Sequence, residues 1–133
     1  MPAKPANHNN YPAWVGVHVP HDSTDVPPTV RRQFPLDDQQ LADELVKMTD
    51  HHTQALFVGP RSDAVDIRAP VSRLDVDVER FPDDESEPMA TRGMGAVYAV
   101  TSELQPLRRA LGGDEREALI QAYPALYCSS RLI

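Results

Sequence analysis

A histidine followed by hydroxyl and carboxylate side chains lies near the start of the sequence. The β-type run over residues 15–19 stops at Pro20 and delivers His21 into the polar turn Asp22–Asp25. An imidazole beside carboxylates can bind a metal ion or transfer protons. Ligands of open α/β sheets bind beyond the carboxyl ends of strands, which favours a metal or acid–base role for His21. The alternative is an ordinary turn and helix cap.

A second group of candidate ligands lies in the segment Thr49–Thr53, which reads TDHHT. Asp50, His51 and His52 supply a carboxylate and two imidazoles, which suit metal binding or acid–base chemistry. The spacing matches no established zinc motif. Adjacent histidines on a helix point about 100° apart, so they cannot both face one ion comfortably. The alternative interpretation is a solvated helix face with one packed histidine.

Charged residues also end a third predicted element. In residues 73–78, Leu74, Val76 and Val78 alternate with acidic residues, which predicts a half-buried strand. Glu79 and Arg80 would then lie at the rim of a sheet. The alternative interpretation is an edge strand that its charges protect from further pairing.

Predicted α/β elements position these groups. Strands over Trp14–Val19, Val65–Ala69 and Leu74–Val78 are expected to form one largely parallel sheet. A helix from Asp38 to about Phe57 would cover one face, since parallel strands need a crossover connection of this length.

Two shorter helices are also predicted. One spans Thr29–Phe34 after a pair of prolines, which favour helix starts. The other spans Glu115–Ala122 and begins after Asp114, which is expected to cap it.

Composition limits the class of protein. The 133 residues suit one domain, which we place at residues 13–122, between a loose tail at 1–12 and an atypical tail at 123–133. A net charge of −7 argues against nucleic-acid partners. The single cysteine excludes an intrachain disulfide and fits the cytoplasm. The apolar runs are too short for a membrane span, and the first ten residues lack the apolar core of a secretory signal.

Four segments, taken in order, resemble the N-terminal half of the N-formylglutamate amidohydrolase family. They are PHDSTDVP from Pro20, MTDHHT from Met48, APVSRLDVDVERFPDD from Ala69 and RGMGAVY from Arg92. The resemblance runs from about Val15 to Leu119, and the order and spacing of the segments make it specific. The chain has Met48 where the family often has an aspartate, and Glu79 where an asparagine is usual.

The resemblance implies an α/β three-layer sandwich with a largely parallel sheet, related to the zinc exopeptidases. It implies hydrolysis of the formyl amide of N-formylglutamate at the end of histidine breakdown, in which zinc polarises the amide carbonyl and activates water. His21 and Asp50 are the implied Zn²⁺ ligands. Arg73 and Arg80 are implied to bind the carboxylate of a small acidic substrate, since a guanidinium pairs with a carboxylate bidentately. No catalytic base is assigned.

The end of the sequence departs from the family pattern. Family members continue to a strand that ends in Asp-x-His-Ser, whose histidine completes the metal site. This sequence has no histidine after His52, and Pro124 would interrupt the helix expected to continue from Glu115. We therefore expect a truncated, frame-shifted or reduced chain with an incomplete sheet. Its exposed apolar edge would favour self-association.

Two classes of function follow from this departure. One is a metal-dependent amidohydrolase of N-formyl or other N-acyl amino acids. The other is an inactive remnant that binds a ligand or a partner. Because a catalytic zinc site usually has three protein ligands, the chain by itself is expected to show little or no amidohydrolase activity.

Overall fold

The fold class is α/β, as predicted from the sequence. The computed structural model describes residues 14–58, 65–124 and 126. Its strands are β1 (Gly16–Val19) and β2 (Val65–Arg68); its helices are α1 (Pro28–Arg31), α2 (Asp38–Met48), α3 (Thr53–Phe57), a 3-10 helix (Pro88–Arg92) and α4 (Gly113–Gln121). Most of the predicted tails, residues 1–12 and 123–133, lies outside the described residues. Within the described part, no helix has the length and apolar character that crossing a bilayer requires.

The two strands pair in parallel, as predicted. Gly16 lies opposite Val65, and Val19 opposite Arg68. Both strands are shorter than the predicted ranges, because β1 begins at Gly16 and β2 ends at Arg68. Pro20 follows β1 and has no N–H to donate, which ends the ladder on that strand.

The prediction of a third strand over Leu74–Val78 is wrong. These five residues form turns and irregular backbone, and all five side chains are buried. Leu74 packs into one core cluster, whereas Val76 and Val78 pack into a second. The alternating pattern therefore reflects a segment buried on both sides, with its acidic residues inside the protein. The three-layer sandwich stays a prediction.

Helix α2 is confirmed and begins with a capping box. The Asp37 carboxylate accepts a hydrogen bond of 2.8 Å from the N–H of Gln40, and the Gln40 side chain accepts one of 2.9 Å from the N–H of Asp37. The helix ends at Met48 and does not continue to Phe57 as predicted. His52 adopts a left-handed conformation with φ of 66°, which separates α2 from α3.

Helix α2 packs against the irregular part of the chain. Its buried Leu41 belongs to a core cluster with Val30, Phe34, Leu74, Tyr98 and Leu107. No member of this cluster belongs to β1 or β2. The helix predicted to cover a face of the sheet is therefore two helices, of which α2 packs on this cluster and α3 contacts β1. The second cluster contains Ala69, Val71, Val76, Val78 and Ile120.

The start of α4 differs from the prediction. Gly112 is the cap residue, and Asp114 lies inside the first turn. The Glu115 side chain accepts hydrogen bonds from the N–H of Gly112 and from the Arg109 guanidinium. The bonds from Arg109 and Gly112 lower the pKa of Glu115 to about 2. Helix α1 is shorter than its predicted range of residues 29–34 and begins one residue earlier.

A buried carboxyl group in residues 74–78, the segment predicted as a third strand, makes the stability of the protein depend on pH. Oδ1 of Asp75 is buried and has no hydrogen-bond partner among the described residues. Burial raises the pKa of Asp75 from 3.8 to about 6, although the Arg108 charge opposes the shift. Because the folded pKa lies above the unfolded one, stability falls as pH rises from about 4 to about 6.

Replacing Asp75 with asparagine should therefore stabilise the protein at about pH 8, by about 1–3 kcal/mol, because the variant has no buried charge to form. At about pH 3 the carboxyl is protonated in both states, so this electrostatic difference should vanish. Urea unfolding of both proteins across this pH range measures the effect. A variant that is less stable at the higher pH would show that ionised Asp75 is a net stabilising partner of Arg108.

Candidate metal centre

His21 lies at the carboxyl end of β1, where a backbone hydrogen bond brings in the end of α2. The carbonyl of His21 accepts a 2.8 Å hydrogen bond from the N–H of Asp50. The His21 ring is buried, and its Nδ1 lies 3.6 Å from Oδ2 of Asp50. The predicted proximity of these two residues is present in the structure, while their assignment as zinc ligands stays a prediction.

The other nitrogen of the His21 ring bonds to a fully buried carboxylate. Nε2 lies 2.7 Å from Oδ1 of Asp77, and the Tyr98 hydroxyl donates to Oδ2 at 2.5 Å. Burial alone would raise the pKa of Asp77, but bonding to His21, with help from Tyr98 and Arg73, lowers it below its ordinary value. An ionised Asp77 can only accept, so it accepts a hydrogen bond from the N–H at Nε2, and Nδ1 is then the ring nitrogen with the lone pair.

A turn after Asp77 directs a second carboxylate to the ring. The N–H of Glu79 donates to Oδ1 of Asp77 at 3.0 Å, and the N–H of Arg80 donates to the Asp77 carbonyl. Oε2 of Glu79 consequently lies 3.6 Å from Nδ1 of His21. His21, Asp77 and Glu79 each offer one ligand atom, and these atoms all lie within 4.8 Å of one another. This group could hold a metal ion.

Arg73 lies inside the same group. Its NH2 atom contacts both ring nitrogens of His21, at 3.0 Å from Nε2 and closer to Nδ1. Nε of Arg73 is 3.8 Å from Oδ2 of Asp77 and forms no hydrogen bond with the described residues. The side chain is 18% exposed. The structure thus places this predicted substrate-binding arginine against the candidate metal ligand itself.

The comparison with protein families agrees with this geometry. A model of the N-formylglutamate amidohydrolase family matches residues 15–127 of the 133-residue chain. The chain belongs to this family. No curated protein and no solved structure matches it. The family match indicates an amidohydrolase-type function, and the matched range contains His21, Asp50, Asp77 and Glu79.

Arg80 is the second arginine that the resemblance assigned to substrate binding. In this amidohydrolase family member it lies beside two buried carboxylates, those of Asp77 and Glu87. Its Nε lies 3.6 Å from Oδ2 of Asp77, and its NH1 lies 3.6 Å from Oε1 of Glu87. Glu87 is buried and accepts hydrogen bonds from the backbone N–H groups of Phe81 and Met89. Binding of a substrate carboxylate by Arg80 stays a prediction.

The two histidines of the TDHHT segment lie outside the ligand group. His51 and His52 are both exposed, with ring centroids 6.2 Å apart. The segment's contribution to the centre is Asp50. The neighbouring Asp22 accepts hydrogen bonds from the N–H of Gln54 at 2.8 Å and from Arg68 at 2.9 Å, which fastens α3 and β2 to the turn after His21.

Sequence reasoning did not select Asp77, Glu79 or His18 as site residues. The strand prediction placed Asp77 and Glu79 on a solvent-facing edge. The signal that could have identified them was the resemblance of the segment APVSRLDVDVERFPDD, which contains both acids, to the family. His18 has a buried Nε2 without a partner among the described residues. Burial lowers the pKa of His18, while the Glu79 charge opposes the shift.

Replacing Asp77 with asparagine should lower the free energy of unfolding by about 3–5 kcal/mol, because it removes a buried charged partner of His21 and Arg73. The pKa of Asp77 is depressed, so its stabilisation is present above about pH 4 and is lost as pH falls further. Urea unfolding at neutral and acidic pH measures both effects. Asp50→Asn, at a carboxylate that is 61% exposed, is the control. Equal losses in the two variants would contradict the structural role of Asp77.

Proposed function

We propose that this protein is a zinc-dependent hydrolase of the amide bond of N-formyl-L-glutamate or a related N-acyl amino acid. The observation that carries the proposal is the environment of the His21 ring. Asp77 bonds to Nε2 at 2.7 Å, while Nδ1 faces the Asp50 and Glu79 carboxylates at 3.6 Å each.

The chemistry of these donors fits zinc. Imidazole nitrogen and carboxylate oxygen are both zinc ligands, and a catalytic zinc usually has three protein ligands and one open position. Of the group His21, Asp77 and Glu79, Asp77 already bonds to Nε2, so His21 and Glu79 with Asp50 would supply three ligands around Nδ1. The Asp50 and Glu79 side chains are 61% and 60% exposed, so they can close on an ion with little loss of packing. Asp77 would orient the ring, as a carboxylate bonded to a metal-ligating histidine commonly does.

Other residues of the chain would orient the His21 ligand and bind the carboxylate of the substrate. A bound zinc ion would polarise the amide carbonyl and make water nucleophilic near neutral pH. Asp77, with Tyr98, keeps the His21 ring in one orientation and one tautomer. Arg73 and Arg80 are the nearby cations for a substrate carboxylate, since a guanidinium offers paired N–H donors. These cations support an acidic substrate even though the chain carries a net charge of −7.

Zinc binding tests the metal part of the proposal. The protein should bind one zinc ion, and Glu79→Gln should weaken binding by at least about tenfold, because it removes a charged ligand. Titration calorimetry measures the affinity. Glu85→Gln, at an exposed acid in the loop that follows the centre, is the matched control and should leave the affinity unchanged. Wild-type protein without zinc affinity would contradict the proposal.

Formate release from N-formyl-L-glutamate tests the reaction. We expect slow formate release that requires added zinc. The release should disappear in His21→Ala, because His21 is the single histidine among the candidate ligands in the described part of the chain. Glu85→Gln again serves as the control. Protein that binds zinc and N-formyl-L-glutamate without any turnover would contradict the catalytic proposal and favour the alternative of a ligand-binding domain.

A further inference from the structure

We propose that Arg73 competes with the metal ion for Nδ1 of His21, so that zinc binding displaces the Arg73 side chain from the centre. The inference rests on the proposed function and concerns how the same site is loaded. It assigns Arg73 two alternative partners, the His21 ring and the carboxylate of an acidic substrate.

The competition follows from the space beside one nitrogen of the ring. Asp77 accepts a hydrogen bond from the N–H at Nε2, so Nδ1 is the nitrogen that can bind an ion. The NH2 atom of Arg73 contacts Nδ1 and lies 3.0 Å from Nε2, so the guanidinium sits over the ring at the nitrogen that the Asp50 and Glu79 carboxylates also face. A zinc ion bound to Nδ1 would lie against this guanidinium, so the two cations cannot occupy the position together.

Charge leads to the same conclusion. Arg73 is a cation 3.8 Å from the Asp77 carboxylate and against the His21 ring, which the Asp50 and Glu79 carboxylates also approach. A divalent ion that approaches Nδ1 meets the same carboxylates and repels the guanidinium. Two cations at one nitrogen are unfavourable in a poorly solvated centre, where charges interact more strongly than in water.

Arg73 is held loosely enough to leave. Its Nε has no hydrogen-bond partner within the described part of the chain, and its ion pair with Asp77 is long, at 3.8 Å. Arg108 contrasts with it, because this buried arginine donates to the carbonyl groups of Leu74 and Asp75 and to the side chain of Gln33. Displacement of Arg73 therefore breaks few bonds.

The displacement couples metal loading to recognition of an acidic substrate. With zinc on Nδ1, the Arg73 guanidinium loses its contact with the ring and becomes available to a carboxylate, with which it can pair bidentately. Zinc would then bind before the substrate. The substrate class that this order favours is an acyl amino acid with a free carboxylate.

Zinc affinity in two arginine variants tests the competition. Arg73→Gln should bind zinc at least about fivefold more tightly than the wild type, because the competing group is gone. Arg80→Gln removes the same charge beside Asp77 without touching the His21 ring, so it measures the general electrostatic effect. Zinc affinity that is unchanged or weaker in Arg73→Gln, or equally raised in both variants, would overturn the inference.

Chemical labelling of the wild-type protein provides a second test that does not depend on how a variant folds. Phenylglyoxal modifies accessible guanidinium groups, and mass spectrometry locates the modified arginines. Saturating zinc should increase the modification of Arg73 and leave that of the buried Arg108 unchanged. Zinc binding without increased labelling of Arg73 would overturn this inference alone. Absence of zinc binding would overturn the proposed function as well.

Discussion

The hydrogen bond between Nε2 of His21 and the Asp77 carboxylate is the interaction on which the rest of the centre depends. It joins residues 56 positions apart, both of them buried. A buried ionised carboxylate is unfavourable unless it is paired and hydrogen-bonded. The Tyr98 hydroxyl and two arginine side chains meet this need at Asp77. The same bond determines which ring nitrogen of His21 faces the Asp50 and Glu79 carboxylates.

Local structure brings the partners together. Pro20 ends β1 immediately before His21, and the Asp50 N–H joins the end of α2 to the His21 carbonyl. The irregular segment that contains Leu74 and Asp77 packs its apolar side chains into both core clusters. Asp77 is therefore fixed by packing on two sides. Stability and site geometry share these residues, so a change at Asp77 affects both.

The elements with local signals could be predicted from the sequence. The apolar stripe of Leu41, Leu45 and Met48 predicted α2, and two short apolar runs predicted β1 and β2 with their parallel pairing. The residues 74–78 could not be assigned, because an alternation of apolar and acidic residues is the same for a half-buried strand and for a segment with buried acids. Burial of Asp77 depends on contacts with His21 and Tyr98, which no short window contains.

The tautomer of His21 tests this account most directly. Long-range ¹⁵N–¹H correlation NMR on protein with labelled histidine identifies which ring nitrogen carries the proton, and Asp77→Asn assigns the affected ring. The account predicts a proton on Nε2 and a bare Nδ1 at neutral pH, with the Nδ1 resonance shifted when zinc is added. A proton on Nδ1 with a bare Nε2 would contradict it, since Asp77 would then have no N–H from which to accept a hydrogen bond, and Nδ1 no lone pair for a metal ion.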